Sequence, residues 1–358
     1  MKIHQTLIDF ILKEWLAVAS GAGLLLTSIY VKHFPVYSAQ EIQVLFILFF
    51  LFIVVNGLQQ SGLILQVARR IERGKMIPLK LVMTTFLISM IVTNDVSLIV
   101  MVPLTLSLTV NRKDVIVILE ALAANAGSAL SPIGNPQNLF IYWYYKIEPL
   151  AFIRTIAPFT LFFFFILIGL SLFLKTKKGV AINNENVKIS GKAYIYSAFL
   201  FFVLLTVLRV FPIEAGVVVL FYALIFDRKA LSIDYALLLV FFFFFGLTDN
   251  LKFILSSQIS NSGHIFLFSA LASQFMSNVP AALTFAKFTP NWEALLWGVN
   301  AGGFGSLFGS LANLIAYKIY VSHNGEKNIS SFLLKFLIFG YAAFLLSIGF
   351  YFLYGNGF

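Results

Sequence analysis

Two short polar sequences interrupt long apolar stretches of this chain and are its best candidates for chemistry. They lie inside the stretches 81–108 and 263–290 and read Thr93-Asn94-Asp95 and Ser277-Asn278. Hydroxyl, amide and carboxylate oxygens are ligands for hard cations, and the starts of helices attract anions. Both sequences therefore predict a site for small ions.

Asp95 is the acidic residue of these two sequences. A carboxylate in apolar surroundings is costly unless it is protonated, paired or bound to a cation. One hypothesis is therefore a proton or Na⁺ site. The other is that Asn94 or Asp95 caps the helix that follows, and the two roles can coexist. Glu120, in another apolar stretch, is either a proton carrier or a partner in a structural hydrogen bond.

Two further polar segments match each other at a spacing of 175 residues. Residues 125–139 and 300–314 are identical at seven of fifteen positions, Asn and Gly among them. One such segment alone would indicate close packing of membrane helices through small residues. Two copies, each preceded by a polar sequence, instead predict an internal duplication with helix breaks at a binding site. Pro136 suits the first turn of a helix after such a break.

The composition requires a membrane. Of the 358 residues, 60% are hydrophobic and 11% are charged, and the mean hydropathy is +0.92. The net charge of +10 comes from basic residues at the ends of apolar runs, which is typical of topology signals and excludes a nucleic-acid partner. The absence of cysteine excludes thiol chemistry and disulfides. Charged residues at positions 9, 13 and 14 argue against a cleaved signal peptide.

The apolar pattern predicts an all-α polytopic membrane protein with seven ordinary spans. The predicted spans are 15–32, 42–66, 154–174, 193–211, 213–227, 233–248 and 332–354. Four stretches with polar residues near their middles are predicted as two re-entrant hairpins, 81–108 and 263–290, and two broken helices, 114–146 and 292–320. The peptide groups near residues 94, 134, 278 and 309 are expected to be unpaired, so that solute ions complete them.

The order of span, hairpin, broken helix and span occurs twice, which predicts an inverted-repeat transporter fold. The first repeat is 1–174, a cytoplasmic linker with its helix is 175–212, and the second repeat is 213–358. The extra helix 193–211 makes the second copy enter from the opposite face.

Lysine and arginine predict the orientation. Five basic residues between 69 and 80 place that loop, and hence the N-terminus, in the cytoplasm. Arg112 and Lys113 are expected on the same side, so the stretch 81–108 must enter the membrane and turn back. The predicted location is the cytoplasmic membrane, with multiple spans.

These segments together resemble the ion transporter superfamily over nearly the whole chain. The motifs that carry the resemblance are Thr93-Asn94-Asp95-Val96 with Pro103, Asn125-Ala126-Gly127-Ser128, residues 131–138, Ser277-Asn278-Val279-Pro280 and residues 309–314. The group includes divalent anion/sodium symporters, citrate carriers, arsenite permeases and a class of Na⁺/H⁺ antiporter, and the short length is similar to its small permeases.

The resemblance implies an elevator-type carrier, often a homodimer, that couples a small anion or oxyanion to Na⁺ or H⁺. A Na⁺/H⁺ antiporter of the same superfamily is the alternative, and no cofactor or metal other than the coupling ion is implied. The implied cation sites are Thr93, Asn94 and Gly134, and Ser277, Asn278 and Gly309. The residues implied or expected to face the substrate are Asn94, Asp95, Asn135, Pro136, Asn278 and Ser310.

One departure from the pattern concerns the substrate. Dicarboxylate carriers of this group have Ser-Asn-Thr at both hairpin tips, whereas Asp95 and Val279 occupy the third positions here. A carboxylate substrate would meet the charge of Asp95 unless a proton or Na⁺ neutralised it. The tip with Asp resembles the arsenite-permease and antiporter branches.

The sequence argues against an enzyme. An intramembrane protease needs paired catalytic Asp residues, an exposed Ser with a His partner, or a His-Glu-x-x-His metal site, and the sequence has none. The four histidines are scattered and predict no metal cluster. A channel stays open as an alternative, because broken helices also line pores. Asp249 and Asn250 are expected at a solvated helix end.

Overall fold

The computed structural model describes residues 14–69, 76–174, 189–254, 262–324 and 329–354, and its regular elements in these ranges are helices. In chain order the helices are α1 (Trp15–Val31), α2 (Ala39–Gln60), α3 (Leu63–Arg69), α4 (Ile77–Ser89), α5 (Asn94–Ser107), α6 (Lys113–Ser128), α7 (Pro136–Tyr144), α8 (Pro149–Phe173), α9 (Lys192–Val207), α10 (Val217–Phe226), α11 (Tyr235–Ile254), α12 (Ser262–Met276), α13 (Asn278–Ala286), α14 (Trp292–Gly302), α15 (Leu311–Asn324) and α16 (Ile329–Tyr354). Short 3₁₀ turns at Ile213–Gly216 and Arg228–Leu231 precede α10 and α11.

Several helices carry the features of membrane spans. Within the described ranges, four are long and apolar enough to cross a bilayer: Ala39–Gln60, Pro149–Phe173, Arg228–Lys252 and Ile329–Tyr354. Large apolar side chains on their surfaces and on α9 are more than half exposed, for example Phe165, Phe201 and Leu345. The all-helical prediction is confirmed for the described residues, and such surfaces, which suit lipid and not water, are consistent with a polytopic membrane protein.

Some predicted boundaries are wrong for local reasons. The predicted span 42–66 is two helices, because Gly62 adopts a left-handed conformation with φ of 80° between α2 and α3. The predicted span 213–227 begins with a 3₁₀ turn after Pro212, and the predicted span 233–248 extends to residue 254.

The predicted solvated helix end at Asp249 and Asn250 is also wrong. Both residues lie within α11, and Asn250 is fully buried. Its amide donates to the hydroxyls of Thr27 at 3.2 Å and Ser28 at 2.8 Å on α1. The buried amide nitrogen requires acceptors, and the neighbouring helix supplies two.

The helices form two groups that we name by their members. The frame helices are α1, α2, α3, α9, α10 and α11, and the core helices are α4 to α8 and α12 to α16. Within the frame, α1 packs on α11 and α9 on α2, whereas within the core α4 packs on α6, α12 on α14 and α5 on α15. The two groups meet where α2 contacts α7, α11 contacts α13 and α3 contacts α5.

Two glycines explain the close packing in both halves of the core. A Cβ atom at Gly127 would overlap the carbonyl oxygen of Phe86, so α6 lies directly against α4. A Cβ atom at Gly302 would lie 2.5 Å from the Ser273 side chain and 2.9 Å from the carbonyl oxygen of Ala270, so α14 lies against α12. Gly127 and Gly302 occupy the same position in the two matching segments, and each allows its helix to pack closely against the helix that precedes a polar sequence.

Candidate functional site

The two predicted broken helices are interrupted in the structure. The first consists of α6 and α7, separated by residues 129–135, and the second consists of α14 and α15, separated by residues 303–310. Pro136 is at the first turn of α7, as predicted, where its missing N–H leaves no hydrogen bond unmade. The sequence thus located both interruptions correctly from Asn, Gly and Pro residues.

The first polar sequence is capped differently from the prediction. Thr93 has an extended backbone, and its hydroxyl accepts a hydrogen bond from the N–H of Val96 at 3.4 Å. Asn94 is already the first residue of α5, and Asp95 lies in its first turn. The prediction that Asn94 or Asp95 caps the helix is wrong, because the residue before them has the geometry of a cap.

Each polar sequence contacts the helix break of its own half through the backbone. The N–H of Asn94 donates to the carbonyl of Gly134 at 3.0 Å, and the N–H of Asn278 donates to the carbonyl of Gly309 at 3.0 Å. The expectation that these peptide groups are unpaired is therefore wrong, because they satisfy each other. Each glycine carbonyl retains a second lone pair that an ion can use.

Four buried asparagines link the two halves of the core. The amide of Asn125 donates to the side-chain oxygen of Asn313 at 2.8 Å, and the amide of Asn300 donates to that of Asn138 at 2.8 Å. Asn125 corresponds to Asn300 in the matching segments, and Asn138 corresponds to Asn313. Each half therefore gives the other the same hydrogen bond.

The same asparagines satisfy carbonyl groups at the helix breaks. The amide of Asn138 donates to the carbonyl of Ala129 at 2.9 Å, and the amide of Asn313 donates to those of Gly303 at 2.9 Å and Ser306 at 3.0 Å. Gln274 adds hydrogen bonds to the carbonyls of residues 302 and 304. Sequence analysis gave these side chains no role. For the asparagines, identity between the two segments was the signal that could have revealed one.

A cavity of about 130 Å³ lies between the frame and the core. Five of the six predicted substrate residues line it: Asn94, Asp95, Pro136, Asn278 and Ser310. Asn135 does not line it, because its amide donates to the hydroxyl of Ser128 at 3.1 Å and to the side-chain oxygen of Asn300 at 3.4 Å. The predicted substrate residues thus lie mostly at one cavity, and Asn135 belongs to the hydrogen-bond network behind it.

The predicted coupling-ion residues are distributed around this cavity. Ser277 lines it, and Thr93 lines a second cavity of about 200 Å³. Gly134 and Gly309 line neither cavity, and their carbonyls contact the polar sequences instead. The structure therefore does not gather either predicted cation set around a single space.

Asp95 lines both cavities. Its Oδ1 atom is buried and has no hydrogen-bond partner among the described residues. Asp234, at the start of α11, also lines both cavities, and Lys318 lines the first. The described part of the chain contains no group of three or more His, Asp or Glu residues that could hold a metal ion.

Glu120 has a partner that the sequence did not identify. Its side chain is fully buried in α6, and the hydroxyl of Thr105 on α5 donates to its Oε1 at 2.6 Å. The Oε2 atom has no hydrogen-bond partner in the described ranges. This contact is the structural hydrogen bond that was one of the two interpretations of Glu120.

Comparison with known proteins finds transporters. A family model described as a citrate transporter, CitMHS, matches residues 7–297. The chain is 33% identical to an uncharacterized transporter of Methanocaldococcus jannaschii, over 88% of this chain and 91% of the relative. It is 34% identical to the inner membrane protein YbiR of Escherichia coli, over 75% of this chain and 77% of the relative. A silicon efflux transporter of Oryza sativa subsp. japonica is 30% identical over 40% of this chain and 32% of its own length.

Proposed function

The chain belongs to the citrate transporter family, whose model matches residues 7–297, and from this premise we propose that it is a secondary active transporter of a small anion or oxyanion, driven by Na⁺ or H⁺. The family match confirms the resemblance to the ion transporter superfamily. Because the family and its named relatives are transporters, the chain is not an enzyme.

One observation carries the proposal of an anion site. Four helices begin at the wall of the first cavity, since Asn94, Pro136, Asn278 and Leu311 line it and are the first residues of α5, α7, α13 and α15. The start of each helix has a partial positive charge. Together they favour an anion, which Asn94, Asn278 and Ser310 would orient through amide and hydroxyl groups.

The coupling ion is assigned to the first polar sequence. Asp95 offers a buried oxygen that lacks a partner among the described residues, and Thr93 lies beside it at the second cavity. A proton or Na⁺ on Asp95 would neutralise the charge next to the anion site. Ser277, with Asn278 and Gly309, is the weaker second cation site of the proposal.

The repeated contacts support the proposed inverted repeat. In both halves, the N–H of the asparagine in the polar sequence donates to a glycine carbonyl in the helix break at 3.0 Å. The two hydrogen bonds between asparagine side chains of opposite halves are also equal, at 2.8 Å. We therefore interpret 81–108 and 263–290 as re-entrant hairpins, 1–174 and 213–358 as the two repeats, and 175–212 as the linker.

The proposed mechanism is elevator-type movement of the core helices against the frame helices. The cavities support it because they lie between the two groups, whereas the asparagine network lies inside the core. The proposal includes the cytoplasmic membrane, a cytoplasmic N-terminus and a homodimer. Side-chain contacts agree with the topology: Lys335 contacts Asp114, both predicted inside, and Tyr145 donates to the carbonyl of Thr289, both predicted outside.

Transport by purified protein in liposomes tests this function. Citrate is suggested by the family and silicate by the silicon efflux relative, so both should be compared under imposed Na⁺ or pH gradients. Because Asp95 faces the cavity, we expect an oxyanion to be accumulated in preference to citrate. If neither gradient drives uphill, saturable accumulation of any small anion, the proposal is overturned, and a channel or the antiporter described next becomes the better hypothesis.

A Na⁺/H⁺ antiporter is the second candidate function. It is favoured by the unpaired Oδ1 atom of Asp95, because a carboxylate that alternately binds Na⁺ and H⁺ needs no anion. In the same liposomes, an inward Na⁺ gradient that moves protons without any added anion would support this function.

A further inference from the structure

A buried cation joins the core helices to the frame helices. Lys287 directly follows α13 of the core, and its Nζ atom lies 2.9 Å from Oε1 of Glu41 on α2 of the frame. The same ammonium donates to the carbonyl of Phe245 at 3.2 Å and lies 3.7 Å from Oδ1 of Asp249, both on α11 of the frame. We call Lys287, Glu41 and Asp249 the clasp.

The Lys287–Glu41 pair of the clasp is buried. The side chain of Lys287 is 9% exposed and that of Glu41 is 1% exposed. Losing Lys287 would leave the buried carboxylate of Glu41 without an opposite charge, with only the hydrogen bonds from the Ser38 N–H and hydroxyl to its Oε2 atom, and this is costly. His33 also faces it, with Nε2 3.5 Å from Oδ2 of Asp249.

Arg209 makes a second connection between the two groups, and its partners carry no negative charge. It follows α9 of the frame, and its guanidinium donates to the carbonyls of Tyr142 at 2.9 Å and Ile147 at 3.1 Å in the core. The guanidinium also lies 4.7 Å from the centre of the Tyr142 ring. Its partners are backbone carbonyls and an aromatic face. The clasp differs from this connection because it pairs the ammonium of Lys287 with carboxylates.

The clasp and the cavities lie at opposite ends of the same helices. Glu41 is in the first turn of α2, whereas Asn56 near the other end of that helix lines the second cavity. Leu237 at the start of α11 lines both cavities, whereas Asp249 is near the end of α11. At 1.5 Å per residue, each separation is about 20 Å. The clasp therefore connects the two groups at the end of these helices that is distant from the cavities.

Two other ion pairs among the described residues each lie within one group. Lys335 and Asp114 both belong to the core, and Lys192 and Asp227, whose charged atoms are 3.0 Å apart, both belong to the frame. The clasp differs from them because relative movement of core and frame must separate its charges.

We propose that Lys287 is a positioning residue for transport, whose ion pair with Glu41 holds the core in the conformation that opens the cavity towards the predicted cytoplasmic side. The proposal rests on the elevator mechanism proposed above. The pair must open once in each cycle, so that the core can carry the cavity to the other side. Opening hydrates both charges, and the frame then presents Glu41 and Asp249 to water.

The charges of the clasp predict which conformation Lys287→Met destabilises. In the clasped state the variant buries Glu41 without its partner, whereas in the open state Glu41 is hydrated in variant and parent alike. The substitution therefore destabilises the clasped state alone and moves the population towards the open state.

The sequence contains no cysteine, so single engineered cysteines can report the two states. Ala236→Cys places a thiol at the first cavity, and Val44→Cys places one in a fully buried position one turn from Glu41. A membrane-impermeant maleimide is applied to vesicles of both orientations. The parent should label quickly at position 236 and slowly at position 44. With Lys287→Met, the ratio of the two rates should fall about tenfold.

Three further variants separate positioning from plain stability. Lys335→Met breaks an ion pair within the core and should leave the labelling ratio at the parental value. Lys287→Arg keeps the charge and should restore the parental ratio. Glu41→Gln weakens the same pair and should shift the ratio in the direction of Lys287→Met, which provides the test if Lys287→Met does not fold.

The proposal is overturned if Lys287→Met, or Glu41→Gln in its place, lowers thermal stability but leaves the labelling ratio unchanged, as expected for Lys335→Met. This result is distinct from failure of the proposed function. Labelling requires no substrate, so a protein that accumulates no anion under any gradient would refute the transport proposal while the ratio still tests the clasp.

Discussion

The two polar sequences share their backbone contacts and differ in their side-chain chemistry. Asn94 and Asn278 each donate to a glycine carbonyl at 3.0 Å, and each begins a helix at the same cavity. The residue that follows is Asp95 in the first sequence and Val279 in the second. The shared backbone supports the proposed anion site with contributions from both halves, whereas the charged ligand that we propose for the coupling ion occurs in the first half.

The residues before the two asparagines differ as well. Thr93 is extended and caps α5 through its hydroxyl, whereas Ser277 has φ of 73° and makes no side-chain cap to α13. A non-glycine residue in that conformation stores strain of about 1–3 kcal/mol. The second sequence therefore positions its asparagine by an unusual backbone conformation, and the first does so by a hydrogen bond.

The largest expected effect comes from removing the charge that distinguishes the two sequences. Asp95→Asn should abolish gradient-driven accumulation, a loss of about a hundredfold, because the coupling ion loses a charged ligand worth about 3 kcal/mol. Uptake in liposomes under a Na⁺ or pH gradient measures this. Val279→Thr is the matched control at the equivalent position and should retain coupling. Unchanged coupling in Asp95→Asn would remove the proposed difference between the halves.

If the two halves are equivalent, removing the donor of either asparagine pair should lower the free energy of unfolding by the same amount. Asn125→Ala leaves the side-chain oxygen of Asn313 without its donor, and Asn300→Ala does the same to Asn138. Each buried acceptor left unpaired should cost about 1–3 kcal/mol of unfolding free energy. Thermal and denaturant unfolding of both variants in detergent test this. A large effect in one variant and none in the other would contradict the equivalence.

Substitution of the two glycines should lower the stability of the protein to different extents, and this difference should be smaller than the effects above. Gly127→Ala directs a methyl group at the backbone of Phe86, which cannot rotate away, whereas Gly302→Ala meets the Ser273 side chain and the backbone of Ala270 at 2.9 Å. Overpacking costs about 1–3 kcal/mol, and we expect Gly127→Ala at the upper end and Gly302→Ala at the lower end. The shift in melting temperature measures the order, and a reversed order would show that α6 can move away from α4 more easily than we infer.

The smallest effect concerns the residues before the asparagines. Thr93→Ala removes a cap and should cost about 1 kcal/mol. Ser277→Ala removes no cap bond and should cost less than half of that, since the strained backbone is the same for both residues. Melting temperatures measured without ligand compare them. A greater loss in Ser277→Ala would mean that its hydroxyl has a partner beyond those in the described structure.

The sequence predicted the parts of the fold that depend on local chemistry. Long apolar runs gave most of the membrane helices, and Asn, Gly and Pro gave both helix breaks, including the start of α7 at Pro136. The division of 42–66 was missed because a single glycine at 62 causes it, and a glycine within an apolar run is also compatible with an unbroken helix.

The sequence predicted residues that line the cavity, but it did not predict the contacts that support them. Asn94, Asn278 and Ser310 were identified, but Asn125 and Asn313 are 188 residues apart, and only packing of the two halves pairs them. Lys287 and Glu41 pair for the same reason across an even longer separation. Charge and spacing along a chain do not indicate which buried partners meet in space.

The asparagine network also bears on how the protein responds to membrane voltage. Its four side chains are neutral amides, so displacing them across the bilayer does no electrical work. A single charge moved through 100 mV changes the energy by about 2.3 kcal/mol. In the proposed elevator mechanism, the voltage dependence of a turnover would therefore be governed by the ions in the cavity, by whether Asp95 is neutralised and by the charges at the ends of the core helices, and the neutral asparagines would add nothing to it.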